Sequence, residues 1–319
     1  MAIAILNSPA EWVAHFGVPR KPTAITIGNF DGVHVGHQRI LWEVTESARS
    51  AHATSAVLTF FPHPTRVLRP EAAPGLLETL PQRLTEFDRL GIDAALVLKF
   101  DNELARKSAE SFAQSYLLET LRARSVFVGA NFRFGHKQAG DVNLLTQIGR
   151  QGGFDVQVIE PVVLDGVVVS SSAIRNALRE GRVEEAARML GHPFALEGKI
   201  QTGTGLGRKL VVATLNLATE QETLPKNGVY ATEVVVGGKT YKAVTNVGVR
   251  PTFDGKRLAI ESHLFDFSET WTSGAMTVNF LSRLREERKF SGPDTLRAQI
   301  LKDIEEARAL FRKPQITNQ

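Results

Sequence analysis

Apolar positions along the first half of the chain alternate between two periods. Ala24 to Phe30, Ser55 to Phe60, Ala94 to Phe100 and Ser125 to Gly129 are short, nearly continuous apolar runs, the pattern of strands buried on both faces. Helical period fills the gaps between them. Gly36 to Ala48 sets Ile40, Leu41, Val44 and Ala48 on one side; Pro81 to Leu90 aligns Leu84, Phe87 and Leu90 and stops at Gly91; Ser108 to Leu121 is helical. Asp141 caps a further helix carrying Leu144, Leu145 and Ile148, after which Phe154 to Glu160 and Val167 to Val169 look extended. Such alternation predicts an α/β, Rossmann-like half with a parallel sheet covered by helices. Ligands of such a sheet bind beyond the carboxyl ends of its strands.

The pattern changes near Gly191-His192-Pro193. From Ala195 to about Arg285, apolar stretches are broken by glycine turns, with Gly237-Gly238 as a hairpin between Val234-Val235-Val236 and Tyr241-Lys242-Ala243-Val244. This half predicts a small antiparallel β-barrel or sandwich. A closing helix opens at Pro293-Asp294 and aligns Leu296, Ile300, Ile304, Ala307 and Phe311. Two domains are expected, 1–186 and 187–319, in keeping with 319 residues and about 100–200 residues per domain.

Composition narrows the class further. An apolar fraction of 43% and a charged fraction of 23% belong to ordinary globular proteins. The net charge of +4 is mild and dispersed, and Arg283-Leu284-Arg285-Glu286-Glu287-Arg288-Lys289 reads as a solvated face, so no nucleic-acid partner is expected. Without any cysteine there is neither a disulfide nor a thiolate nucleophile to consider. No run approaches the roughly 18 apolar residues of a spanning helix, and the N-terminus lacks a basic leader. A soluble, unprocessed, cytoplasmic protein without a membrane partner is expected; a homo-oligomer is compatible with the sequence.

The candidate chemistry begins at GNFDGVHVGH, Gly28 to His37, where the first long strand turns into a helix. A zinc reading of His34 and His37 is the weaker one, since the spacing is three on a turn and no cysteine is near. A phosphate reading fits better. Gly36 lets backbone approach a ligand, the helix start presents N–H groups and a positive dipole end, and two imidazoles can donate to phosphate oxygens.

His-x-Gly-His after the first strand of a parallel sheet is a nucleotidylyltransferase signature. The longer string Gly-Asn-Phe-Asp-Gly-Val-His-x-Gly-His-Gln resembles the bacterial bifunctional riboflavin kinase and FAD synthetase family. Further matches follow in order at Thr59-Phe60-Phe61-Pro62-His63-Pro64, Val128 to Gly135, and Val169-Ser170-Ser171-Ser172-Ala173-Ile174-Arg175. The resemblance implies a nucleotidylyltransferase-type first domain in which His34 and His37 steady the α-phosphate and departing pyrophosphate of ATP, with Gly28, Phe30, Asp31 and Gly36 around the nucleotide. It gives Ser171 and Ser172 to the β- and γ-phosphates, and Arg175 to the leaving group, which a guanidinium fork suits. Ser171 and Ser172 are also sensible N-caps on structural grounds alone. Asn131 matches a flavin- or nucleotide-binding position. His63 is left between nucleotide contact and loop support, Phe132 and Phe134 between site and core. Phe61 stands where many relatives carry an acid, so a carboxylate role is absent there.

In the second half, Gly203-Thr204-Gly205-Leu206-Gly207-Arg208-Lys209 fits neither a Walker A nor a dinucleotide fingerprint. It resembles the riboflavin kinase flap, together with Thr214, Asn216, Pro225 to Tyr230, Asn246 to Phe253, Glu261 to Phe267 and Leu284 to Phe290. The resemblance implies that Gly203, Gly205, Lys209 and Arg250 contact substrates and that Thr214 and Asn216 hold Mg²⁺ with the ATP phosphates. Glu261 would then accept the proton of the riboflavin 5′-hydroxyl, though alternation leaves open which face it takes. Val211-Val212-Ala213 departs from the family's Gly-Phe-Pro before this threonine, which frees a φ angle and points to a weaker kinase.

The activity implied is riboflavin plus ATP to FMN plus ADP, then FMN plus ATP to FAD plus pyrophosphate, with Mg²⁺ as cofactor. The alternatives are a monofunctional FAD synthetase with an impaired kinase domain and a non-catalytic flavin- or nucleotide-binding protein.

Overall fold

A computed structural model describes residues 2–17, 20–201, 214–252, 255–269 and 271–312, with only the backbone path at 249–252 and 255–258. Contacts divide the chain into two compact units, Met1–Ser171 and Ser172–Gln319.

The first unit is built on six parallel strands: β1 (Ala4–Leu6), β2 (Thr23–Ile27), β3 (Thr54–Phe61), β4 (Ala94–Lys99), β5 (Ala123–Gly129) and β6 (Asp155–Ile159). Their order is β1-β4-β3-β2-β5-β6. The helices are α1 (Pro9–Phe16), α2 (Val35–Ala51), α3 (Pro64–Leu68), α4 (Leu80–Arg89), α5 (Asn102–Arg106), α6 (Ala109–Phe112) and α7 (Val142–Gly152). Alternate strand residues enter opposite layers. Ile25, Ile27, Leu58, Leu96 and Val126 pack with Trp12, Phe112 and Leu117, whereas Ala24, Val57, Ala95, Val97 and Phe127 pack with Leu41, Val44, Leu84 and Phe87. Both faces are thus apolar, which is why the strands read as continuous runs. Strand order reverses between β2 and β5, the switch point where a sheet of this kind opens a crevice for ligands.

Several local expectations need correction. β2 stops at Ile27, so Gly28 to Phe30 belong to the loop. The short β1 went unanticipated because three residues carry no readable period. Ser108 to Leu121 holds only one α-helical turn, α6, before widening into a π-helical stretch, Ala113–Thr120, where Leu121 N–H reaches the Tyr116 carbonyl at 2.9 Å. Ser171 is already the first residue of its helix rather than the residue before it.

The second unit is a closed antiparallel barrel, β10-β13-β12-β11-β14-β9, so the open choice between barrel and sandwich falls to the barrel. Its strands are β9 (Phe194–Gln201), β10 (Leu215–Ala218), β11 (Gly228–Val236), β12 (Lys239–Thr252), β13 (Gly255–Leu264) and β14 (Ala275–Arg285). β7 (Val163–Leu164) and β8 (Val167–Val168) form a separate hairpin in the first unit. Tyr230, Val234, Val247, Ile260, Val278 and Phe280 are buried in the barrel. Glycine at 198 permits the β9–β10 approach, since a Cβ there would overlap the Ala218 carbonyl.

The Leu178 carbonyl of α8 (Ser171–Glu180) accepts the Lys226 N–H at 2.8 Å, and α9 (Val183–Leu190) packs on β14 and β9, with Ser282 Oγ donating to Glu184 at 2.6 Å. The closing helix, Pro293–Arg312, buries Ala307 against Val229, Ala231, Val244 and Phe265. Arg285 donates from Nε (2.8 Å) and Nη2 (2.7 Å) to the buried Asp303 carboxylate. That contact corrects the reading of Arg283 to Lys289 as a solvated face, which holds only from Glu286 to Lys289.

Candidate active sites

The first candidate site is the β2–α2 loop at the switch point. His34 is the N-cap of α2, its Nδ1 accepting the His37 N–H at 3.3 Å. Because Nδ1 accepts, a neutral His34 ring carries its proton on Nε2. The two imidazoles stack 3.6 Å apart at 14°. Burial pushes the His34 pKa down to about 4, and burial, His34 and the Arg83 guanidinium push His37 well below the ordinary histidine value. Both rings are therefore neutral at physiological pH, hydrogen-bond donors without charge.

Gly36 is required here, since a Cβ would sit 3.2 Å from the His34 ring. The first turn of α2 holds no acidic residue, so no side chain of that turn opposes an anion at the positive end of the helix. The loop is also strained, with positive φ at Phe30 (51°), Gly32 (84°) and Val33 (26°), values that cost a bulky or β-branched residue.

The other expected residues of this unit fall into two groups. Gly28 and Asp31 lie in the same loop, and Ser171 Oγ donates to the Asp31 carbonyl at 2.9 Å. The Asp31 carboxylate turns inward instead, accepting from Leu77 N–H (3.0 Å) and Glu78 N–H (3.3 Å). The Phe30 ring is 3% exposed and packs edge-on to Phe87 and His37. His63 is the N-cap of α3, with Nδ1 at 2.7 Å from Thr65 Oγ1. Asn131 is exposed just beyond β5 at the other side of the crevice, while Phe132 and Phe134 stack on each other against the core. Ser172 is exposed and Arg175 buried, both in the second unit. Among the described residues, no three His, Cys, Asp or Glu side chains gather as a group that could hold a metal ion.

The second candidate site lies on the outer face of the barrel. Ile260, Ser262 and Leu264 are buried, so alternation turns Glu261 to the other face of β13. Cross-strand register then sets Asn216 of β10, Glu261 of β13 and Asn246 of β12 in one row. Asn246 carries no local signal of a role; only strand register, which no local pattern encodes, brings it beside Glu261. Thr214 immediately precedes β10, and Arg250 lies in β12. Gly203, Gly205, Lys209 and Val211-Val212-Ala213 lie outside the described residues.

Comparison with known proteins decides the family. A model described as FAD synthetase matches residues 18–173, and one described as riboflavin kinase matches residues 190–311. The chain is 36% identical to a bifunctional riboflavin kinase/FMN adenylyltransferase of Escherichia coli (strain K12), over 92% of this chain and 94% of that protein. It belongs to the bifunctional riboflavin kinase/FMN adenylyltransferase family. The Pseudomonas fluorescens member is 38% identical over 89% of this chain and 92% of its own length. A crystal structure described as a macrolide-efflux protein from Streptococcus pneumoniae shares the fold at a TM-score of 0.86 and 27% identity, covering 97% of this chain and 99% of that one. No helix among the described residues is long and apolar enough to cross a membrane. Both catalytic domains of the family are present in order, each carrying one of the two residue sets described above.

Proposed function

We propose that the chain converts riboflavin to FMN and FMN to FAD, with one reaction in each unit. The observation that supports this most is the division of labour between two unlike residue sets: neutral donors at a helix start in one unit, a carboxylate in a row of carboxamides in the other.

In adenylyl transfer an FMN phosphate oxygen attacks the α-phosphorus of ATP, and the bond to the β-phosphate bridging oxygen breaks to release pyrophosphate. No protein nucleophile is needed; the contribution is positioning and charge stabilisation. The Nε2–H of His34, a donor on His37 and the N–H groups at the start of α2 stabilise the charge passing to pyrophosphate. Being neutral, the imidazoles do so without giving up a proton. Ser171, which lies against the same loop, serves a remaining phosphate oxygen.

In phosphorylation Glu261 accepts the proton of the riboflavin 5′-hydroxyl as that oxygen attacks the γ-phosphorus and ADP departs. Thr214 and Asn216 fit Mg²⁺: both are hard oxygen donors, and a carboxylate stands in register with Asn216. When bound, Mg²⁺ would neutralise triphosphate charge. Asn246 orients the Glu261 carboxyl in this scheme. The use of ATP as co-substrate supports a cytoplasmic setting.

Assaying the two reactions separately in His37→Ala and Glu261→Ala tests the assignment. His37→Ala is expected to lower FAD formation from FMN by about 10²–10³-fold, the usual loss on removing a transition-state donor, with riboflavin phosphorylation intact. Glu261→Ala is expected to do the reverse. Equal loss of both activities in either folded variant would overturn the scheme, as would a wild-type protein that forms no FMN from riboflavin.

A further inference from the structure

Behind the histidine loop lies a buried charged layer that adenylyl transfer, as described, does not use. Arg83, 1% exposed, is buried on α4 together with Leu84 and Phe87 and donates from Nη1 to the Asn29 carbonyl at 2.5 Å. Asp31, 3% exposed, caps Leu77 and Glu78 N–H, and the Glu78 carboxyl takes the Gly32 N–H in return. Three tethers thus fasten residues 29, 31 and 32 to residues 77, 78 and 83. They hold the stretch of loop whose φ angles at Phe30 and Val33 are strained, and strain of this kind persists only where surrounding contacts over-determine it.

The same layer carries three enclosed polar atoms without a hydrogen-bond partner: Arg83 Nε, Glu78 Oε2 and His37 Nδ1. A core built for stability alone would not retain three such atoms. The Arg83 charge stands beside Asp31 and Glu78, and it also acts on the His37 ring. Arg83 therefore touches the catalytic loop by a backbone hydrogen bond on one side and by its field on the other.

We propose that Arg83 is a positioning residue for adenylyl transfer: it clamps the Asn29–Gly32 turn so that His34 and His37 stay aimed at the triphosphate. The inference rests on the assignment of those histidines to the ATP phosphates. A misplacement near 1 Å costs about 10²-fold in turnover even when substrate binding survives, because it is orientation that is lost. The loss belongs in kcat, not in KM.

The test compares Arg83→Met, Arg83→Lys and His37→Ala in the full chain, measuring kcat and KM for ATP in FMN adenylylation, with riboflavin phosphorylation in the same preparations as a control for the second unit. Arg83→Met is expected to lower kcat by about 10²-fold with KM for ATP within about threefold of wild type. Arg83→Lys keeps the charge but not the fork, so a loss of about tenfold is expected, and it decides the matter if Arg83→Met fails to fold. Turnover of Arg83→Lys within twofold of wild type, or a loss confined to KM, overturns the proposal. If His37→Ala itself turns over normally, the histidine assignment fails first; if it is inactive while both Arg83 variants are normal, only the clamp fails.

Discussion

Two ionisable side chains on one loop system are displaced in opposite directions, and the sign of each sets how the first unit responds to pH. Burial holds His34 near 4, below its ordinary 6.5, so the unfolded chain takes up the proton first and stability rises with pH between about 4 and 6.5. Burial and the neighbouring Asp31 charge raise Glu78 from 4.5 to about 8, so the folded chain keeps the proton longer and stability falls as pH climbs through that range. The effects oppose each other up to pH 6.5; above it Glu78 acts alone. At about 1.4 kcal/mol per pH unit, the first unit should lose roughly 2 kcal/mol between pH 6.5 and 8. Glu78→Gln should flatten that slope in thermal or denaturant unfolding, and an unchanged slope would falsify the assignment to Glu78. None of this layer was legible in the sequence. His34, His37 and Ser171 stand in a recognisable string, whereas Asp31 meets Glu78 and Arg83 only because β2 and the start of α4 are brought together in space.

Elements were legible in proportion to how local their causes are. α2 was foreseen because Ile40, Leu41, Val44 and Ala48 repeat at helical spacing, and Leu41, Val44 and Ala48 are the residues it buries. The π-helical stretch after α6 was not, since the apolar spacing of Phe112, Leu117 and Leu121 reads as an ordinary helix while the backbone takes an extra residue per turn. Barrel closure depends on β9 pairing with both β10 and β14, a non-local choice that hydrophobic patterning leaves open. Gly198 makes that choice geometrically possible. Gly198→Ala should force the β9–β10 seam apart and destabilise the second unit by about 3 kcal/mol, the upper end of the usual overpacking range. Denaturant unfolding read by loss of riboflavin phosphorylation measures this, with FMN adenylylation unaffected at denaturant concentrations the first unit tolerates. A midpoint equal to wild type would show that the seam tolerates a methyl group.

At the scale of the whole molecule, the two chemistries were legible because each half carries its own string of functional residues. Where one unit ends was less so: α8 and α9 continue the helical pattern of the first half, and Ser171 bonds Asp31 there, yet Leu178 and Glu184 bond to Lys226 and Ser282 of the second half. Two self-sufficient residue sets carry a consequence for FMN, the product of one reaction and the substrate of the next. If each unit binds and turns over FMN by its own contacts, the intermediate needs no transfer within one molecule. His37→Ala should then release FMN made from riboflavin, and Glu261→Ala should adenylylate it. An equimolar mixture of the two variants, given riboflavin and ATP, is expected to form FAD after a lag set by FMN accumulation. Added unlabelled FMN should dilute the label passing from radioactive riboflavin into FAD, in the mixture and in the wild type alike. Undiluted label in the wild type would mean that FMN is handed on before it reaches solvent. A mixture that forms no FAD, although each variant completes its own half-reaction, would mean that neither unit acts on free FMN as an independent catalyst.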